Sequence, residues 1–273
     1  MSKVKREKEI IKRSENKEYL EIAKTAALSA GKYLAENFEK KHVAHFKSEH
    51  DISLAEDIKS ETIILDILKE KYPMHNYHSE EFGEIKNQSK FTWFIDPLDG
   101  TNNYFAGIPY FSVSIALLLE NQIIVGVVYN PISNQLFEAV KNGGAFLNGS
   151  RLQPSQNITL NNSVCSFIQG HSISASEELA QESREIQNKL SLNFRRVISS
   201  WAPSLDWSLL AFGGIDALIS FESELEDMYA GLLIAKEAGV KIINFDGNDF
   251  KIGDKRIIAS NNYLHKSLFS LLA

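Results

Sequence analysis

The sequence predicts an α+β chain, with helices followed by a mainly antiparallel sheet in the first half and a mixed α/β unit in the second. Apolar residues recur at helical spacing through residues 18–39 and 55–71. Strand-like runs joined by short polar loops fill 111–140, and consecutive strands so closely spaced pair antiparallel. Beyond residue 153, strand-like and helical segments alternate, the pattern of a layered α/β unit.

The opening residues, Met1 to Lys17, are rich in Lys, Arg and Glu and lack the apolar core of a signal peptide, so they are expected to be a frayed or helical arm. Leu20, Ala23, Ala27, Ala30 and Leu34 define the buried stripe of the first helix. Ile58, Thr62, Leu65 and Leu68 define the second, which stops before Pro73. A short strand is expected to end at Ser79-Glu80-Glu81, and Phe91 to Ile95, aromatic and β-branched, reads as a buried strand. Pro97 offers no backbone donor, so the ladder is expected to stop there and the chain to turn. Strands over 111–119, 123–129 and 135–140 follow, then turns at Asn142-Gly143-Gly144 and Asn148-Gly149-Ser150. The polar stretch Gln153 to Asn162 reads as a linker, dividing the chain into domains 1–152 and 153–273. The second domain is expected to hold strands at 164–169 and 217–221 and helices at 175–190, 205–212 and 228–238.

A chain of 273 residues can build one large or two smaller cores. Its net charge of -6 argues against binding a nucleic acid backbone by bulk electrostatics. It contains no run of about 18 apolar residues, so no membrane span is expected. The single cysteine, Cys165, cannot form an internal disulfide and lies in a strand-like segment, which places the protein in the cytoplasm as an expectation.

The chemistry concentrates in Asp96-Pro97-Leu98-Asp99-Gly100-Thr101, two carboxylates three residues apart where an apolar strand meets a Gly-Thr turn. Carboxylates are hard oxygen donors of the kind Mg²⁺ prefers, and a helix opening at Gly100-Thr101 presents free N–H groups to an anion. Upstream, alternation along a strand lets only one of Glu80 and Glu81 face the same site, and Glu80 is the choice. His42, His45 and His50 lie in a polar linker without cysteine partners and are read as structural. The aromatic run Tyr104, Phe105, Tyr110, Phe111 is read as core rather than as a base-stacking platform, while Asp206 and Asp216 are kept as candidate substrate contacts.

These residues resemble the inositol monophosphatase family of lithium-sensitive, Mg²⁺-dependent phosphatases over about residues 18 to 262. Four pieces carry the resemblance: Asp51-Ile52-Ser53-Leu54, Glu80-Glu81, Asp96 to Thr101, and Glu226-Asp227 followed by Gly231 and Glu237-Ala238-Gly239. The resemblance implies a layered αβαβα sandwich, a homodimer, a small phosphorylated substrate, and two or three Mg²⁺ ions with Mn²⁺ as a substitute. It implies that Glu80, Asp96 and the Leu98 carbonyl hold one ion and that Asp96, Asp99 and Asp227 hold a second. Asp51 and Thr101, with Glu80, would orient the attacking water. Gly100, Thr101, Asp99, Ser220 and Asp227 would border the substrate. Paired ions can activate water and stabilise the entering and leaving oxygens, so no protein nucleophile is needed.

The chain also departs from the family pattern. Leu54 stands where a Thr is usual, Glu226 where a Trp is usual, and Ser220 where inositol-specific members carry a substrate-binding Glu. Trp201-Ala202-Pro203 occupies the place of a Gly-Ser/Thr-Ala turn lining the sugar pocket. Phosphomonoester hydrolysis is therefore expected, inositol monophosphate leading, with fructose bisphosphate and 3′-phosphoadenosine nucleotides behind it. A dehalogenase-type Asp nucleophile fits less well, because its two carboxylates stand two apart and no proline separates them. A non-catalytic regulatory protein on the same scaffold is the remaining alternative.

Overall fold

The computed structural model describes residues 3–46, 52–170, 172–173, 176–223 and 228–272. Helix α1 (Lys3–Asn37) opens the chain, so the charged arm continues the helix whose apolar stripe begins at Leu20. The short strands β1 (His45–Phe46) and β2 (Ile52–Ser53) pair antiparallel. Helix α2 (Ala55–Lys71) leads to β3 (Asn76–Ser79), β4 (Gly83–Ile85) and β5 (Phe91–Asp99), and α3 (Thr101–Phe105) is a single short turn of helix. The meander β6 (Ser112–Leu119), β7 (Gln122–Asn130), β8 (Gln135–Val140), β9 (Gly144–Leu147) and β10 (Ser150–Arg151) completes an eight-stranded sheet. All its pairings are antiparallel except β3 with β5.

The second half supplies β11 (Val164–Gln169), α4 (Glu177–Asn193), β12 (Arg196–Ile198), α5 (Pro203–Phe212), β13 (Ala217–Phe221), α6 (Tyr229–Ala238), β14 (Lys241–Asn244), β15 (Arg256–Ser260) and α7 (His265–Leu272). Its five-stranded sheet is mixed, with β11 parallel to β12 and β13, and β15 antiparallel to β13 and β14. Helices α1 and α2 cover one face of the first sheet. Helices α5 and α6 fill the layer between the sheets, and α4 and α7 cover the far face of the second. The order is αβαβα.

Period-two alternation places the strands in this stack. Ile115 and Leu117 of β6 face the α1–α2 core, while Ala116 and Leu118 face the middle layer. Leu218 of β13 joins the middle layer and Ile219 the outer one. Both sheets are covered on both faces, which is why these strands are apolar throughout. The middle core draws residues from both sheets, from Ala116 to Ala259.

The strand expected to stop before Pro97 continues to Asp99. Asp96 lies opposite Ser114 and Asp99 opposite Ser112, so three steps on β5 match two on β6. That bulge absorbs the proline, whose missing N–H would otherwise leave a gap in a central ladder. The Pro97 carbonyl accepts the Ser60 hydroxyl of α2 at 2.8 Å.

Under α1 the ring of His75 stacks between Tyr72 and Phe91, with centroids at 4.8 Å on either side. Its Nδ1 accepts the indole N–H of Trp93 at 3.1 Å, which requires an unprotonated Nδ1. Burial lowers its pKa below 6.5. A histidine held neutral contributes stability that is full above its unfolded pKa and is lost as pH falls through about 6.5 toward the folded value. The melting temperature is therefore expected to drop between about pH 7 and pH 5, and to drop less in His75→Gln, which keeps an acceptor without titrating. Equal acid slopes in the two proteins would remove His75 from the account.

Candidate active site

The site grows from the one parallel pairing in the first sheet. Ser79 of β3 lies opposite Ile95 of β5, so Glu80, just past the end of β3, stands level with Asp96 within β5. The turn carrying Glu80 is held from below by Glu61 of α2, a fully buried carboxylate. Glu61 accepts the N–H groups of Glu81 at 2.8 Å and Phe82 at 2.9 Å, and also the Ser79 hydroxyl.

Asp57, one helical turn before Glu61, is likewise buried and meets the carboxylates of Glu80 and Glu81. One oxygen from each of these three lies within 4.8 Å of the others. Asp57 Oδ2 accepts the Leu54 N–H at 2.8 Å, and Asp57 Oδ1 lies 3.0 Å from the Thr101 hydroxyl. That hydroxyl is also 2.9 Å from the Leu98 carbonyl. A hydroxyl has one proton, so Thr101 can donate to one of these oxygens only. If Asp57 is protonated it donates to Thr101, which then donates to Leu98. The acidity of the group agrees: burial first, then the charge of Glu80, pushes the Asp57 carboxyl up to about 8.

Asp57 and Glu61 escaped the sequence reading, although a signal exists. They fall at i and i+4 on the face that continues through Ile64, Leu65 and Leu68, all buried. Carboxylates on the apolar stripe of a helix are rarely buried without a partner, so they point to a polar site beneath.

Asp96 and Asp99 are both almost fully buried at the β5 bulge. Asp96 Oδ1 accepts the Leu98 N–H at 3.0 Å, which tightens the turn. Asp99 is held partly from the second half of the chain. It accepts the Ser112 hydroxyl at 2.9 Å and the N–H groups of Leu205 and Ser204 in the first turn of α5. Burial raises its pKa well above the usual range, with those donors opposing and Asp206 adding to the rise. Gly100 takes a left-handed φ of 91° and packs under Ala202, Trp201 and Tyr110; an added Cβ would lie 3.2–3.3 Å from their atoms.

Asp206 and Asp216, kept above as candidate substrate contacts, are interior clasps. Asp206 accepts the Tyr110 hydroxyl at 2.8 Å and the Ser166 hydroxyl at 2.6 Å, tying the two halves together. Asp216 accepts Ser155 at 2.5 Å, Asn157 at 2.7 Å and the Val164 N–H at 2.7 Å, fastening the linker. Ser220 is also fully buried, its hydroxyl 2.8 Å from Ser223 Oγ and 3.1 Å from Met228 Sδ, so it is satisfied inside the fold. Leu54 places its side chain in the α1–α2 core. His42 binds Glu56 at 3.0 Å and the Phe38 carbonyl at 3.1 Å, a structural contact. Tyr104 and Phe111 are core, whereas Phe105 is 46% exposed. Asp51, His50, Glu226 and Asp227 lie outside the described residues.

The donors gathered here are all oxygens, carboxylates with a backbone carbonyl nearby, the set that suits a hard divalent cation. Burial and the Glu80 charge favour a proton on Asp57, so a cation binding there would have to displace it. Mg²⁺ affinity, measured calorimetrically, is expected to rise by up to about tenfold per unit as pH goes from about 6 to about 8. A flat profile would exclude Asp57 from the binding set.

A model described as the inositol monophosphatase family matches residues 15–273. A fructose-1,6-bisphosphatase/inositol-1-monophosphatase of Aquifex aeolicus is 36% identical over 257 residues, 91% of this chain and 93% of the relative. The Nus factor SuhB of Haemophilus influenzae is 34% identical, covering 92% of this chain and 94% of its own. The solved structure of inositol monophosphatase from Anabaena superposes with a TM-score of 0.82 at 30% identity, over 94% of this chain and 95% of that one.

Proposed function

The chain belongs to the inositol monophosphatase family, and from that membership we propose that it is a Mg²⁺-dependent phosphomonoesterase acting on a small polyol or sugar phosphate. Inositol monophosphate is the first candidate substrate. The observation that carries this is the convergence of Asp57, Glu80 and Glu81 beside the Thr101–Leu98 contact, at the parallel ends of β3 and β5.

In this reading Glu80, Asp96 and the Leu98 carbonyl would hold one ion, and Asp96, Asp99 and Asp227 would hold a second. Bound there, the cations supply positive charge to the phosphoryl oxygens and acidity to the attacking water. Thr101, with Asp51, would orient that water. The Gly100 and Thr101 N–H groups hold the phosphate against the turn that Asn103 braces, its amide donating to the carbonyls of Tyr110 at 2.8 Å and Ser200 at 2.7 Å. Phosphoryl transfer passes through a loose transition state, so position and charge are what the protein contributes. Glu61 contributes by fixing the turn that carries Glu80.

Phosphate release from inositol monophosphate, fructose bisphosphate and 3′-phosphoadenosine nucleotides, with Mg²⁺ and with or without Li⁺, tests the proposal. Mg²⁺-dependent release, inhibited by Li⁺ and abolished by a chelator, is the expected result. A second reading, a non-catalytic regulatory member, is favoured by the relatives named Nus factor SuhB. Retained Mg²⁺ binding with no release from any of these substrates would support it instead.

A further inference from the structure

The three tryptophans are not alike: Trp93 and Trp207 are fully buried, whereas Trp201 is 66% exposed. Trp201 also holds a left-handed backbone, φ 58°, which a bulky side chain adopts only at a cost. Such a conformation survives where the surroundings over-determine it. They do so here on both sides. The Ser200 carbonyl accepts the buried Asn103 amide at 2.7 Å, and the Ser200 hydroxyl accepts the Ala202 N–H at 3.2 Å. The Ala202 carbonyl accepts the N–H groups of Leu205 at 3.1 Å and Asp206 at 3.2 Å, where Pro203 starts α5. Glycine would meet this geometry without strain, so the indole is being displayed at the expense of the backbone.

The place of display is the rim of the candidate active site. The Trp201 carbonyl would lie 3.3 Å from a Cβ built on Gly100, and Ala202 Cβ 3.2 Å from it, so this loop sits directly on the turn that the proposed function assigns to phosphate. Ser220, implied above as a substrate contact, is fully buried and bonded within the fold, so its hydroxyl is not offered there. Next to the turn assigned to phosphate, the exposed indole of Trp201 offers a flat apolar surface.

We propose that Trp201 is a specificity-determining platform on which the leaving group of the substrate stacks, so that the site selects phosphate monoesters carrying a flat ring face. This rests on the phosphomonoesterase reading above. Two sources share that chemistry, an aromatic ring such as a nucleobase and the CH face of a sugar or cyclitol ring, and both bind indole faces without hydrogen-bond readout.

The test compares steady-state phosphate release by the full chain with Mg²⁺ on four substrates: adenosine monophosphate, glucose phosphate, inositol monophosphate and the acyclic glycerol phosphate. Trp201→Ala is expected to raise KM about tenfold for ring-bearing substrates with kcat little changed, and to leave glycerol phosphate unaffected. Trp201→Phe should recover most of the loss. The ring class with the largest shift identifies the source. Trp201→Gly separates binding from folding: its melting temperature should equal or exceed that of the parent, while its KM defect matches that of the Ala variant. A uniform change across all four substrates, or none, would overturn the proposal and leave the phosphatase reading standing. Absence of release by the parent protein on every substrate would overturn both.

Discussion

Glu80→Gln is expected to lower phosphate release by about 10²- to 10³-fold while raising the melting temperature of the metal-free protein. The two effects have one cause. Glu80 crowds its charge against Glu81, and against Asp57 once that carboxyl ionises above about pH 8, within 4.8 Å; after burial it is the largest contributor to the raised pKa of Asp57. Without a cation that crowding is repulsive, so removing one charge relieves it. With a cation bound the same charge would be the attraction, so its removal is expected to abolish stabilisation by Mg²⁺. Calorimetric melting with and without Mg²⁺, beside a phosphate-release assay, reads both. A variant that turns over normally, or that melts lower without metal and still gains from Mg²⁺, would separate Glu80 from the cation site.

Gly231→Ala is expected to destabilise the protein by about 1–3 kcal/mol through overpacking, although helix propensity alone favours alanine by about 1 kcal/mol. Gly231 lies inside α6, where an added Cβ would stand 2.5 Å from Trp207 Cβ and 3.1 Å from the Ser204 carbonyl of α5. Trp207 is fully buried in the middle layer and cannot retreat without moving its neighbours. Ser204 opens the helix whose N–H groups hold Asp99, so the same push reaches the candidate site. Denaturant unfolding measures this as a lower midpoint at unchanged slope. A stabilised variant would show that α5 and α6 pack more loosely than these distances allow.

The elements legible in the sequence were those with a local period. The helix at 55–71 and the strands at 135–140, 164–169 and 217–221 coincide with α2, β8, β11 and β13. The continuation of β5 through Pro97 was hidden, because a bulge is a relation between two strands and β6 has no local mark of it. The short β12 and the late strands β14 and β15 were unread for a similar reason: their few residues become strands only by pairing, and the eight-residue α7 is too short to be a helix without the packing of Leu268.

Within the candidate site, Asp96, Leu98, Asp99, Gly100 and Thr101 could be found from sequence because one turn carries them and their spacing is itself the signal. Asp57, Glu61 and Glu80 converge only because β3 runs parallel to β5 and α2 lies across their ends. Which carboxylates crowd together, and which fasten the fold as Asp206 and Asp216 do, was likewise decided by tertiary contacts. Side-chain chemistry and short-range periodicity are properties of the chain and can be read along it. Burial, charge crowding and a Cβ's nearest neighbour arise from distances between remote residues, and exist only once the chain has closed on itself.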